Sequence, residues 1–73
     1  MRTLENVKDG ETCRVLSIAG ERPIKRRIMD MGITKGVEVK LIKRAPLGDP
    51  IELNVRGYQL TVRMDDAKNI CVE

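Results

Sequence analysis

Apolar and polar residues alternate along much of the chain. Val37, Val39 and Leu41 alternate with Glu38 and Lys40, and Ile51, Leu53 and Val55 with Glu52, Asn54 and Arg56. Leu60, Val62 and Met64 alternate with Gln59, Thr61 and Arg63. A period of two places one set of side chains on a single face, so each run reads as a half-buried strand. Val39, Leu41, Leu53, Val55, Leu60 and Val62 are the residues expected to point inward. An earlier strand is expected over residues 11–19, with Cys13 and Val15 on one face and Arg14 on the other. Leu16 and Ile18 break its alternation, which predicts a far end that is bulged or covered on both sides. Ile70 and Val72 begin a last short strand. Leu4 and Val7 are the apolar residues of an irregular N-terminal arm, and Asp9-Gly10 marks the turn that follows it.

Between the first two strands the period changes. Ile24, Ile28 and Met31 fall at i, i+4 and i+7, which gives one buried stripe on a helix. Pro23 suits its first position, because the missing N–H would have been unpaired there. Gly32 is a left-handed terminator, and Ile33 supplies the apolar residue that packs back after such a cap. Arg26 and Asp30 form an i, i+4 pair on the solvent side. About two turns of helix are unstable alone, so this one exists by packing on the sheet. Arg56-Gly57-Tyr58 reads as a tight hairpin with Gly57 free to take positive φ. Residues 65–68 read as a single helical turn, with Asp65 and Asp66 as its start signal. The fold class that follows is mainly β: a small, closed or nearly closed five-stranded barrel with one short helix inserted after the first strand.

Seventy-three residues make a single domain, 1–73, with no room for a second core. A cleft that encloses a metabolite would leave too little apolar surface to bury. The chain has no His, Trp or Phe, and Tyr58 is its only aromatic residue. The near-neutral proton shuttle and commonest metal ligand are therefore missing. So are the stacking platforms that single-stranded bases need and the aromatic grooves that hold proline helices. Charge is 14 Lys+Arg against 11 Asp+Glu, a net +3 with both signs interspersed, which is the pattern of a solvated surface. Cys13 and Cys71 are far apart with no C-x-x-C spacing, so reduced thiols in a cytoplasmic protein are expected. No signal peptide and no apolar stretch long enough for a membrane span are visible.

Catalytic and cofactor motifs are absent. The glycines fit neither phosphate-binding pattern and sit where turns are needed. Thr3, Thr12, Ser17, Thr34 and Thr61 have no histidine to activate them. Two thiolates do not make a tetrahedral metal site, although pairing of the first and last strands would bring Cys13 and Cys71 nearer. Packing as small hydrophobes is the alternative for both. No catalytic, cofactor or metal residue is therefore assigned.

Three features remain. Arg22, Lys25, Arg26 and Arg27 begin the helix, where the dipole disfavours cations; they serve either solubility or an acidic partner. Met29 lies roughly 100° off the buried stripe, so it packs on the barrel or forms an adaptable surface contact. Ala45-Pro46-Leu47-Gly48-Asp49-Pro50 is a stiffened loop with Leu47 at its tip. That side chain either folds back over a barrel end or stands as a pre-ordered apolar knob.

Three segments carry a resemblance: residues 29–36 (Met-Asp-Met-Gly-Ile-Thr-Lys-Gly), residues 45–51 (Ala-Pro-Leu-Gly-Asp-Pro-Ile) and residues 56–63 (Arg-Gly-Tyr-Gln-Leu-Thr-Val-Arg). In order and spacing they resemble the FeoA family from about Leu4 to Val72, with the proline loop as the most specific part. The resemblance implies an SH3-like barrel with a helix after the first strand. It also implies a cytosolic accessory of FeoB, the membrane ferrous-iron transporter with a cytosolic GTP-binding domain. Related domains occur at the C-terminus of metal-dependent repressors of the diphtheria-toxin-repressor type, and the family carries a transition-metal-binding label for which this sequence shows no ligand set.

The expectation is a non-enzymatic cytoplasmic adaptor of ferrous iron uptake that binds the cytosolic part of the transporter. Leu47, Met29, Lys25 and Arg26 are its expected contact residues, on or near one surface. The rival readings are a metal-sensing module that binds Fe²⁺ itself and, on a sequence pI near 9.1 alone, a small-barrel nucleic-acid binder. No nucleic acid and no membrane insertion are expected; weak self-association is compatible with the pattern.

Overall fold

A computed structural model describes residues 2–73. Its strands are β1 (Thr12–Ile18), β2 (Glu38–Arg44), β3 (Ile51–Val55), β4 (Tyr58–Val62) and β5 (Ile70–Val72). They form one antiparallel five-stranded sheet in the order β4-β3-β2-β1-β5. Helix α1 (Arg22–Asp30) fills the β1–β2 connection and α2 (Met64–Ala67) the β4–β5 connection, and a 3₁₀ turn at Leu4–Asn6 precedes the sheet. The architecture is the mainly β small barrel that the alternation predicts, with its helix after the first strand.

β1 explains how so short a sheet curls. Its first residues, Thr12 to Arg14, pair with β2, whereas Val15, Ser17 and Ile18 pair with β5. The register shifts between Val15 and Ser17, where Leu16 interrupts the alternation. A second shift in β2 lies between Leu41 and Lys43. An extra residue in one strand bends it and raises its twist, so each strand turns a corner at its bulge. The enclosed core contains Val15, Val39, Leu41, Ile51, Leu53, Val55 and Val62 from the sheet. Leu4 and Val7 from the arm, Ile28 from α1, and Ile33 and Ala67 from the connections join it.

Five of the six residues expected inward are buried; Leu60 is only partly so, and it lines a hollow between β4 and the end of α1. The two edges differ. The Val72 N–H on β5 donates to the Arg2 carbonyl (2.9 Å), and Thr3 bridges Cys71, so the N-terminal arm covers that side. No backbone bond reaches the outer side of β4 among the described residues. The barrel is nearly closed rather than closed.

Local details depart from expectation. Helix α1 starts one residue sooner, at Arg22, so Pro23 is its second residue, where its N–H is equally dispensable. Arg26 and Asp30 are both exposed and make no ion pair among the described residues. The β3–β4 turn is Arg56-Gly57 alone, with φ of 53° and 84°, and Tyr58 is already strand. Two central residues with positive φ match the twist of the flanking strands. Gly32 caps α1 with φ 93°, as expected. Asp66 is not simply a helix-start residue: it is 7% exposed and paired with Arg27 (Nη2 to Oδ1, 2.5 Å).

Candidate functional site

The β2–β3 loop is held from three directions. Gly48 N–H donates to the Ala45 carbonyl (2.7 Å), and Ala45 N–H to the Pro50 carbonyl (3.0 Å). The Asp49 carboxylate accepts from the Met64 N–H (2.9 Å), which ties the loop to the start of α2. Leu47 gains nothing from these bonds itself. Its side chain is 97% exposed, so it stands free of the barrel end instead of folding over it.

Met29 is also outside the core, half-exposed on α1. On one side it lines a shallow hollow of about 260 Å³ with Ser17, Ile18, Lys25 and Lys35. On the other it lines a larger one, about 440 Å³, with Arg22, Lys25, Arg26 and Asp30. Arg22, Lys25, Arg26 and Lys35 have no carboxylate partner among the described residues; Lys8, Lys40, Arg56 and Arg63, elsewhere, also have none, whereas Arg2, Arg14, Arg27, Lys43, Arg44 and Lys68 do. Unpaired positive charge is therefore gathered around one exposed apolar side chain.

The structure brings Lys25, Arg26 and Met29 together but leaves Leu47 elsewhere. Lys35, beside Met29, precedes β2; Leu47 follows its last residue. Seven residues of strand lie between them, bent at the register shift between Leu41 and Lys43. Leu47 lines neither hollow beside Met29, so the two exposed apolar side chains share no pocket.

Chemistry at the remaining polar groups is sparse. Cys13 and Cys71 are free thiols, both buried. Cys13 belongs to the core cluster with Val15, whereas Cys71 lies outside it beneath the bridge to Thr3. β1 and β5 do pair, yet opposite Cys71 stands Ser17. Burial pushes the Cys13 thiol above its usual range, which disfavours the thiolate that a nucleophile or soft metal requires. Among the described residues no group of three or more Cys, Asp or Glu is placed to hold a metal ion. No helix among the described residues is long and apolar enough to cross a membrane.

Sequence reasoning missed the Arg27–Asp66 pair. Burial leaves the Asp66 side chain 10% exposed and Arg27 60% exposed. The hydrogen bond to Asp66, reinforced by its charge, raises the Arg27 guanidinium above its ordinary value. The two residues are 39 positions apart, so no local pattern signals the contact.

Comparison with known proteins agrees with the fold. Residues 2–73 match the family model described as FeoA domain. The chain is 29% identical over 70 residues to an Fe(2+) transport protein A/Fe(2+) transporter FeoB fusion protein from Porphyromonas gingivalis. That alignment covers 96% of this chain and 8% of the fusion protein. An FeoA-like protein from Clostridium acetobutylicum superposes with a TM-score of 0.91 at 44% identity, covering 97% of this chain and 83% of that one. FeoA from Stenotrophomonas maltophilia, described as an SH3 domain protein complexed with zinc, superposes at 0.85 with 26% identity, over 100% of this chain and 91% of its own. A manganese-dependent transcriptional repressor shares the fold alone: TM-score 0.90 at 23% identity, over 99% of this chain and 35% of the repressor. A family match over residues 2–73, joined to an SH3-like barrel with a helix after its first strand, is decisive: the chain belongs to the FeoA domain family.

Proposed function

We propose that this chain is a non-enzymatic cytoplasmic accessory of ferrous iron uptake that docks on the cytosolic part of a FeoB-type transporter. The observation that carries the reading is the fusion: in one relative an FeoA part and the transporter share a polypeptide. Joining two modules raises their effective concentration, which suits domains that act in contact. Geometry supports the role of contact module. Leu47 stands on a loop pinned at Ala45, Asp49 and Pro50, and Met29 on a packed helix, so both dock with little loss of conformational entropy. Lys25 and Arg26 supply unpaired positive charge that speeds encounter with an acidic patch.

Co-purification with membranes that contain the transporter tests the reading. Leu47→Asp and Met29→Asp change exposed side chains and leave the melting temperature nearly unchanged. Loss of co-purification and of ferrous iron uptake in either variant supports docking through that spot. Retention of both in the double variant would place the contact elsewhere.

The zinc complex of a relative favours a second reading, in which the chain itself takes a metal ion. The donor set here fits it poorly, since zinc sites draw on three or four clustered ligands. Stoichiometric Zn²⁺ or Fe²⁺ binding that disappears when Cys13 and Cys71 are both replaced would promote it.

A further inference from the structure

We propose that the chain forms a two-fold symmetric dimer in which β4 pairs with β4 of a second copy, antiparallel and centred on Leu60. The starting point is the main chain. Tyr58, Leu60 and Val62 face Val55, Leu53 and Ile51 across the hairpin. A two-residue turn makes its flanking residues a hydrogen-bonded pair, and such pairs recur at every second residue. The N–H and C=O groups of Gln59 and Thr61 therefore point away from β3. Among the described residues nothing receives them, although β5, at the other edge, is covered by Arg2 and Thr3.

Edge strands of monomers are ordinarily protected by charge, proline or a bulge. β4 has none of these: it reads Tyr-Gln-Leu-Thr-Val, and its register with β3 runs without a shift. The same five residues are complementary to themselves. Centring on Leu60 sets Gln59 opposite the partner's Thr61 and Thr61 opposite the partner's Gln59, so all four outward-facing residues, two from each copy, form hydrogen-bonded pairs. Leu60 then meets the partner's Leu60 at a non-hydrogen-bonded pair, where side chains approach most closely. Tyr58 falls opposite the partner's Val62.

Side-chain pairing and shape select a second copy over an arbitrary extended peptide. Arg56 has no carboxylate partner among the described residues. In this register it falls one position from the partner's Asp65, which already pairs with Lys68 of its own chain, and equally one position from the partner's Arg63, so charge neither drives nor opposes the pairing. No like charges stand directly opposite one another within the paired residues 58–62. Two hollows flank β4, one of about 310 Å³ by Met31, Tyr58 and Leu60, the other of about 340 Å³ by Arg27, Val62 and Arg63. They lie on opposite halves of the strand, so the two-fold axis brings the partner's exposed Tyr58 to the second of them. This inference is independent of the transport reading.

Sedimentation and amide exchange on the full chain test it. Gln59 and Thr61 amides should gain protection as concentration rises, while the Leu60 amide, already bonded to Leu53, should not change. Gln59→Lys/Thr61→Lys sets Lys against Lys twice across the axis and should weaken the dimer about tenfold. Gln59→Glu/Thr61→Lys sets Glu against Lys at the same positions and should tighten it. All these side chains lie on exposed positions, so both variants fold. A monomer up to millimolar concentration would overturn the proposal. So would a dimer indifferent to both variants, or concentration-dependent protection confined to residues outside β4.

Discussion

Arg27 and Asp66 join α1 to α2 through a 2.5 Å hydrogen bond between Nη2 and Oδ1. Asp66 is the only buried charged residue among those described, and its carboxylate depends on this one guanidinium. A charge left in a buried place without its partner is destabilising, whereas an exposed unpaired cation contributes little. Arg27→Met should therefore lower the melting temperature clearly, and Arg26→Met, one residue away and exposed, should leave it nearly unchanged. Equal melting temperatures for the two variants would show that Asp66 finds solvent when Arg27 is gone.

Leu53→Ala should be the most damaging of the simple core truncations. Leu53 is fully buried, opposite Leu60 in β4 and Leu41 in β2. Removing three carbons there costs the transfer free energy and leaves a cavity, together about 2–5 kcal/mol. So small a domain has little stability to spare. Urea unfolding measures the loss; a change below about 1 kcal/mol would mean that the barrel collapses around the vacancy.

Period-two alternation made the sheet legible because inward residues such as Val39, Leu41, Leu53, Val55 and Val62 must be apolar whatever the topology. Leu60 obeys the same alternation yet is only partly buried beside a hollow at the end of α1, and such tertiary packing is carried by no local pattern. The Gly32 cap was legible because its signal spans only a few residues. Arg27 and Asp66, by contrast, meet across 39 positions. Leu47 and Met29 were legible as odd apolar residues, but that they share no hollow required the structure. The arm over β5 was missed for a related reason: its bonds run from the Arg2 carbonyl and the Thr3 backbone, to which side-chain identity is nearly irrelevant.

Gly32 isolates backbone strain from packing. Its φ is 93°, and a Cβ added there would meet nothing within 4 Å. Gly32→Ala should thus destabilise by about 1–2 kcal/mol through conformation alone. Gly32→Asn, whose side chain tolerates the left-handed region better, should lose less. The order of the two in thermal unfolding checks the argument, and Asn as poor as Ala would contradict it.

Glu11 gives the fold a dependence on acid. Its Oε1 accepts the Lys8 N–H at 3.0 Å, and its Oε2 lies 2.8 Å from Arg2 Nη1. The backbone bond first, and Arg2 second, hold its carboxyl below the ordinary value of 4.5. A carboxyl whose folded value is depressed binds protons more weakly when folded, so its ionised form favours the folded state above the unfolded value. That contribution fades as pH falls through the ordinary value towards the depressed one. Glu11→Gln removes the ionisation while keeping the size. The native chain should therefore melt above Glu11→Gln by a steady margin at neutral pH, and the margin should shrink below a pH of about 4.5 as the native carboxyl takes up its proton. Melting temperatures measured across that range decide it. Two curves that stay parallel down to pH about 3 would mean that the contacts to Lys8 and Arg2 do not depend on the charge of Glu11.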